Sequence, residues 1–154
     1  MNEIHGDLNG QGKRFAILVT RFNSLVTEQL VKGAKDCLLR HGVEEASMDL
    51  YRVPGAWELP AAAARIVQSG KYDALVALGC IIRGGTPHFE YVAGEASRGL
   101  GAVAREAPIP VSFGVLTTDT VDQALERAGT KAGNKGWDAA LSALEMAELF
   151  RRME

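Results

Sequence analysis

The sequence predicts an α/β protein in which a parallel β-sheet lies between two layers of α-helices. Three observations predict this class. Strand-like apolar runs alternate with amphipathic segments, the third run is apolar on both faces, and glycines and prolines separate the segments. A strand that is apolar on both faces is typical of the centre of a parallel sheet. The length of 154 residues fits one domain, predicted to span 1–154.

Four short apolar runs are predicted strands, and five segments with helical periodicity are predicted helices. The strands are RFAILVT (14–20), SMDLYRV (47–53), DALVALGCII (73–82) and PVSFGVLT (110–117). The helices are predicted at 24–41, 57–68, 88–106, 119–128 and 137–152. Gly42 ends the first helix, and Asp119 or Thr120 caps the fourth. For the third helix, Thr86 is the predicted N-cap and Pro87 the first helical residue.

Strand followed by helix, four times over, predicts a three-layer αβα sandwich. Its four-stranded parallel sheet would have the flavodoxin-like order 2-1-3-4, with helices on both faces. In such sheets, ligands bind beyond the carboxyl ends of the strands. The segments after the first three strands are RFNS, PGAWE and RGGTPH, and the fourth strand carries FGVLT near its end. Most of the unusual residues are therefore expected at one edge of the sheet.

Composition narrows the possible partners. The net charge of -2 argues against a nucleic-acid surface or an anionic membrane as partner. No segment reaches the ~18 apolar residues that span a bilayer, and the N-terminus lacks the apolar run of a signal peptide. Cys37 and Cys80 lie in apolar segments and are predicted to be buried reduced thiols of a cytoplasmic protein. Histidines and cysteines do not have zinc-site spacing, so no metal is expected.

The segment after the third strand has the residue types of an anion site. Gly84 and Gly85 would let the backbone approach a ligand, and a helix that begins beside Thr86 would present backbone N–H groups to a phosphate. His88, in the first turn, could transfer protons. The same residues also suit a tight capped turn without a ligand, and a histidine that only hydrogen-bonds at a helix end.

Two aromatic residues follow strands and have polar neighbours. Phe22 precedes Asn23, and Trp57 precedes Glu58. Such a set can stack on a flat heterocycle and hydrogen-bond to attached hydroxyl groups. Aromatic residues at these positions can equally cap the hydrophobic core.

The segment ERAGTKAGNKGWDAA (126–140) carries Arg127 and Lys135 on a Gly-rich connection. It is not a Walker A loop, because Asn134 stands where that motif has glycine, and Gly136 stands where it has Ser or Thr. In a functional interpretation, Arg127 clamps a phosphate and Lys135 donates to a polar ligand. The alternative is a solvated connection whose charges bind nothing.

Taken together, six segments resemble the lumazine synthase family of riboflavin biosynthesis. They are TRFNS, VPGAWELP, ALGCIIRGGTPHFEYVAGEASRGL, PVSFGVLTTDT, QALERAGTKAGNKG and AALSALEMA. The resemblance implies the family's four-stranded parallel fold and a cofactor-independent transferase. The implied reaction condenses 5-amino-6-(D-ribitylamino)pyrimidine-2,4-dione with 3,4-dihydroxy-2-butanone 4-phosphate. It yields 6,7-dimethyl-8-ribityllumazine, with loss of phosphate and water.

The resemblance also implies a role for each site residue. The pyrimidinedione would lie between Phe22 and Trp57, and its edge would meet the backbone of Ile81, Ile82 and Phe113, with Cys80 beside them. The ribityl chain would be bound by Asn23, Ala56 and Glu58, with Lys135 nearby. Phosphate would be held by Gly85, Thr86 and Arg127, and His88 would shuttle protons.

Family members assemble as pentamers with sites between neighbours, so the resemblance implies a homo-oligomer in which Phe113, Arg127 and Lys135 face an adjacent subunit. The GTKAGNKG connection resembles that of shell-forming members, which favours an icosahedral shell of pentamers over free pentamers or decamers. Riboflavin synthase is a partner that such a shell could enclose. The N-terminal arm, 1–12, alternates apolar and polar residues and could add a strand to a neighbour's sheet.

Other functions on the same fold remain to be weighed. A flavin-binding electron carrier would need a phosphate loop rich in Thr, Ser and Gly after the first strand, where this chain has TRFNS. A structural shell subunit without activity would not need Arg127, His88 and Lys135 together. A response-regulator receiver is excluded, since no acidic pair follows the first strand.

Overall fold

The computed structural model describes residues 1–131 and 133–154 and shows a sheet of four parallel strands in the order β2-β1-β3-β4. The strands are β1 (Phe15–Thr20), β2 (Met48–Val53), β3 (Ala74–Ile82) and β4 (Val111–Thr118). The helices are α1 (Ser24–Arg40), α2 (Leu59–Gln68), α3 (His88–Glu106), α4 (Val121–Glu126) and α5 (Lys135–Met153). The predicted fold class and strand order are confirmed.

The central strand β3 separates two hydrophobic cores. Val76 and Leu78 face one core, with α1 and α5, while Leu75 and Ala77 face the other, with α2 and α3. This arrangement explains why the sequence of β3 is apolar at every position, since neither face meets water. Each large side chain buried in this way stabilises the folded chain by about 1.5–3 kcal/mol. The packed sheet therefore holds the strand ends, where the candidate site lies, in fixed positions.

The start of α3 differs from the prediction. The N-cap is Pro87 (φ -71°, ψ 1°) rather than Thr86, and no side chain caps this helix. Pro87 closes a turn instead, because its carbonyl accepts a hydrogen bond from Glu90 N at 3.1 Å. The Thr86 side chain, predicted to be used in capping, therefore remains exposed on the loop.

Two other helix starts also differ from the prediction. A 3₁₀ turn over Ala56–Glu58 delays α2 to Leu59, so that Pro60 falls in the first helical turn, where its missing N–H costs nothing. The last helix starts earlier than predicted, at Lys135, because the Asn134 side chain caps it. For α4, the expected cap at Thr120 is confirmed as a capping box with Gln123.

None of the helices in 1–131 and 133–154 combines the length and the apolar composition that a bilayer span requires. The N-terminal arm forms no strand within this chain and lies against α5. Asp7 pairs with Arg152 there, and Gly6 approaches the carbonyl of Glu145 so closely that a Cβ would overlap it. Pairing of the arm with a neighbouring subunit stays a prediction.

Candidate active site

An open cleft of about 400 Å³ lies beyond the carboxyl ends of β1 and β3. Its walls come from the end of β3, the turns that follow β1, β2 and β3, and the start of α3. The lining residues are Phe22, Asn23, Gly55, Ala56, Trp57, Glu58, Cys80, Ile81, Ile82, Gly84, Thr86, His88, Phe89 and Val92. The fold thus brings together most of the predicted site residues from segments that are far apart in the sequence.

The two aromatic residues of the cleft are exposed rather than packed in a core. Phe22 is 72% exposed and Trp57 is 60% exposed. Their turns lie side by side because Arg21 N donates to Val53 O at 2.8 Å and Phe22 N donates to Pro54 O at 3.1 Å. These bonds continue the β1–β2 pairing past the strand ends. The cleft therefore offers two open rings to a flat heterocycle.

Asn23 shapes the turn between β1 and α1. Its backbone is left-handed (φ 62°, ψ 44°), a conformation that Asn adopts more readily than most residues. Its carbonyl accepts hydrogen bonds from Val26 N and Thr27 N, both at 3.0 Å, and so begins the helix. Its side-chain Nδ2 donates to Cys80 O at 2.8 Å. The turn after β1 is thereby tied to the end of β3 across the cleft.

The middle of the cleft is apolar except for one carboxylate. Ala56, Cys80 and Ile81 are buried, and Ile82 and Glu58 are half-buried. Burial raises the pKa of the Cys80 thiol to about 11, so this thiol stays protonated at neutral pH and is a wall rather than a nucleophile. Among the described residues no hydrogen bond to the Glu58 carboxylate is found, which leaves its oxygens to a ligand's hydroxyl groups.

The loop after β3 presents uncovered backbone to the cleft. A Cβ at Gly84 or Gly85 would have no atom within 4 Å, and neither glycine has positive φ. The chain's own conformation therefore does not require glycine here, whereas a ligand that approaches the backbone would. Thr86 and His88 line the cleft and are exposed, and Gly85 lies in the same loop although it is not among the lining residues. Such a loop suits a phosphate and a proton transfer.

Arg83, at the start of this loop, is paired with two carboxylates. Its Nε donates to Asp119 at 2.8 Å and its Nη1 to Glu90 at 2.6 Å, and its guanidinium lies 4.4 Å from the centre of the Phe89 ring. Hydrogen bonds to Asp119 and then to Glu90 raise the pKa of Arg83 further above its usual value. One cation against two carboxylates leaves this cluster with a net negative charge. A phosphate bound at Thr86 would need a further cation.

The remaining predicted residues lie in a different place. Phe113, Arg127 and Lys135 line a hollow of about 390 Å³ on the β4 side, together with Val115, Leu116, Thr117 and Asp138. This hollow shares no lining residue with the cleft, because β4 is an edge strand that pairs with β3 alone. A single chain therefore does not bring Arg127 and Lys135 to Thr86 and His88. Their place at a neighbour's cleft stays a prediction.

Some residues that line the cleft and the hollow were not predicted from the sequence. Phe89 and Val92 close the cleft from the third helix, three residues apart on one helical face. Asp138 shares the hollow with Lys135, three residues earlier in α5. The helical spacing from His88 and Lys135 is the signal that could have found them.

A flavodoxin-like sheet with an open, ligand-sized cleft beyond its strand ends defines an α/β protein that binds small molecules. The family model for 6,7-dimethyl-8-ribityllumazine synthase matches residues 12–151 of the 154. The chain belongs to the 6,7-dimethyl-8-ribityllumazine synthase family, whose members are transferases of riboflavin biosynthesis. The predicted resemblance and enzyme class are confirmed, and the electron carrier is set aside.

Proposed function

We propose that this chain condenses 5-amino-6-(D-ribitylamino)pyrimidine-2,4-dione with 3,4-dihydroxy-2-butanone 4-phosphate to 6,7-dimethyl-8-ribityllumazine. The amine and the ketone would join as an imine with loss of water. Elimination would then release phosphate, and ring closure on the second carbonyl would release another water. The observation that carries this proposal is the cleft itself, with two exposed rings at one end and a glycine loop with Thr86 and His88 at the other.

The pyrimidinedione would stack between Phe22 and Trp57, whose rings are open to solvent. Its ribityl hydroxyl groups would bond to Asn23 and to the Glu58 carboxylate, with buried Ala56 beneath them. A carboxylate and an amide accept and donate in the way that a polyol requires. Two exposed aromatic rings with polar side chains beside them thus suit a ligand that has a flat ring and a hydroxylated chain.

The butanone phosphate would bind at the other end of the cleft. Backbone groups of Ile81 and Ile82 would meet the pyrimidine edge, beside Cys80, and so bring its amine toward the ketone. The uncovered backbone of Gly85 and the exposed hydroxyl of Thr86 would bind the phosphate. His88, in the same cleft, would move protons during imine formation and elimination. Most of the rate gain would come from holding two reactive molecules together.

A second copy of the chain would complete the site. Arg127, Lys135 and Phe113 are exposed on the β4 edge, away from their own cleft. The Arg83 cluster carries net negative charge, so phosphate binding needs a cation from elsewhere. Arg127 of a neighbour would supply it, Lys135 would reach the ribityl chain, and the Phe113 backbone would meet the ring edge. The functional unit is accordingly a homo-oligomer, a pentamer with sites between adjacent subunits.

The decisive experiment mixes both substrates with purified protein and follows the absorbance or fluorescence of the lumazine. We expect the product to appear with phosphate in equal amounts, and neither substrate alone to give it. Intact, assembled protein that leaves both substrates unchanged beyond the rate without protein would contradict the proposal. It would favour the inactive shell subunit instead.

A further inference from the structure

Asn134 joins the segment of Arg127 and Lys135 to the rest of the chain, yet it has no part in the proposed chemistry. Its Oδ1 accepts hydrogen bonds from Gly136 N at 2.8 Å and Trp137 N at 3.1 Å. Its Nδ2 donates to Gln29 O at 2.9 Å and Ala128 O at 3.2 Å. An amide has two donor hydrogens and two acceptor positions, and all four are occupied here.

Two glycines make this close contact with α1 possible. The three atoms nearest to a Cβ built on Gly33 all belong to the Asn134 side chain, which it would overlap. A Cβ on Gly136 would overlap the carbonyl of Leu30. A larger residue at Gly136 would push the segment away from the backbone of α1, and a larger residue at Gly33 would push the Asn134 side chain out of its present position. The segment and the helix are thus fitted to each other through Asn134.

The same contacts determine where the two cations stand. Lys135 follows Asn134 directly, and its backbone N donates to Arg127 O at 2.8 Å. Ala128, whose carbonyl Asn134 binds, follows Arg127 directly. Among the described residues, the Arg127 side chain has one long hydrogen bond, to Gln123 O at 3.4 Å. Its position therefore depends on the backbone on which Asn134 acts.

We propose that Asn134 is the positioning residue for Arg127 and Lys135, and that it sets the phosphate affinity of the site without touching substrate. This inference rests on the proposed function of those two cations. An arginine binds phosphate well only when its planar donors are aligned, so a small shift of its backbone weakens the pair. Asn134 would keep that backbone fixed on α1, whose first turn follows Asn23 of the same chain.

The probe is inorganic phosphate, measured as a competitive inhibitor against the butanone phosphate in the assembled protein. Arg127→Ala calibrates the assay, and we expect it to raise the inhibition constant roughly ten- to a hundred-fold. Asn134→Asp keeps both acceptors that cap α5 but loses both donors and sets a carboxylate against two carbonyl groups. We expect it to raise the inhibition constant about ten-fold or more, and to add nothing further in the Arg127→Ala background.

Gly33→Ala provides a second variant that leaves the segment's own sequence unchanged. Helix propensity alone predicts a more stable protein with normal phosphate binding. The overlap with Asn134 predicts weaker phosphate binding instead, and it predicts that Gly33→Ala has little effect once Asn134 is alanine, since the clash is then relieved. The control is Glu148→Gln, at the far end of α5, which should leave the phosphate inhibition constant unchanged.

The outcomes separate the two claims. If Arg127→Ala leaves the inhibition constant unchanged, the proposed phosphate site fails and the positioning role fails with it. If Arg127→Ala raises it but Asn134→Asp and Gly33→Ala do not, the positioning role alone is wrong. Should Asn134→Asp not fold, Gly33→Ala and its double variant with Asn134→Ala decide the question.

Discussion

At the scale of single residues, Phe22 and Trp57 show that not every large apolar side chain of this protein serves its cores. Each would contribute about 1.5–3 kcal/mol if it were buried, yet both remain largely exposed. They stay outside because the backbone bonds of Arg21 and Phe22 hold the two turns at the sheet edge. Exposed rings on fixed turns are ready to bind a flat ligand with little rearrangement.

Trp57 can report this binding directly. The chain has two tryptophans, and the other, Trp137, packs edge-on against His41 with ring centres 6.0 Å apart. We expect the ribitylaminopyrimidinedione alone to quench the tryptophan fluorescence of Trp137→Phe, and not that of Trp57→Phe. Quenching that survives in Trp57→Phe would remove Trp57 from the ring site.

His88 should accelerate the reaction without being indispensable. We expect His88→Ala to lower kcat by at most ~10²–10⁴-fold, because proximity of the substrates supplies much of the remaining gain. The matched control is His5→Ala, in the exposed N-terminal arm, which should keep the parent kcat. Complete inactivity of a folded, assembled His88→Ala variant would contradict this role.

The positions of individual residues were predictable from sequence where they depend on the order of neighbouring elements. Phe22, Asn23, Trp57 and Glu58 follow strands, and they line the cleft as expected. The prediction of Thr86 as the N-cap was wrong because Pro87, one residue later, occupies that position. Local residue preferences do not distinguish between these two starts of the helix. The role of Asn134 was not predicted because one of its four side-chain hydrogen bonds, to Gln29 O, and its contact with Gly33 both depend on a helix about a hundred residues earlier in the chain.

At the scale of elements, α5 is fixed at both ends by polar contacts. Asn134 caps its start, and near its other end Glu148 is 4% exposed and accepts hydrogen bonds from Lys13 Nζ at 2.7 Å and Arg151 Nε at 3.0 Å. The bonds from Lys13, then Arg151, hold the pKa of Glu148 below its usual range despite burial. Because Lys13 lies just before β1, this cluster joins α5 to the first strand.

The contribution of this cluster to the free energy of unfolding should depend on pH. Glu148 has a lower pKa in the folded chain than unfolded, so its contribution is fully present above the unfolded value of 4.5 and disappears as pH falls through the folded pKa. We expect Glu148→Gln to cost roughly 1–3 kcal/mol at pH 7 and progressively less below about pH 4.5. Urea unfolding at several pH values measures this.

The control is Glu145→Gln, the same substitution at an exposed position of the same helix. It should change the unfolding free energy little at any pH, since exposed glutamates contribute little. A pH-independent difference between Glu148→Gln and the parent would show that packing, rather than charge, carries the effect.

The elements themselves were predictable because their patterns are unambiguous. The sequence of β3 is apolar on both faces, and α1 has its apolar residues along one face. Each pattern allows only one interpretation, and both elements are present. The short turns were less predictable: Ala56–Glu58 has helix-forming residues but is a 3₁₀ turn, since Pro60 is placed best in the first turn of α2.

At the scale of the whole molecule, the residues of the proposed site lie on two different faces of the chain. The cleft holds the rings and His88, and the β4 edge holds Arg127 and Lys135. Local sequence patterns predict a role for each of these residues but do not show whether one chain or two would supply them. In the proposed symmetric ring, the β4 edge of one subunit would lie against the cleft of the next subunit and complete the site.

The size of the assembly is a separate prediction. We expect the protein to sediment as a hollow shell of pentamers, as the GTKAGNKG connection favours. The measurement is sedimentation velocity on purified protein at several concentrations. A species of pentamer size alone would contradict the shell but leave the shared site intact.

The measurement closest to the central claim mixes two impaired subunits. Arg127→Ala and His88→Ala chains, co-assembled in equal amounts, should regain activity, because about a quarter of the sites would combine an intact cleft with an intact neighbouring Arg127. At a butanone phosphate concentration far below KM, where the weaker phosphate binding of Arg127→Ala lowers the rate, we predict a rate near that fraction of the parent's and above that of either variant alone. Co-assembled rings no more active than the average of the two variants would contradict a site completed by a second copy.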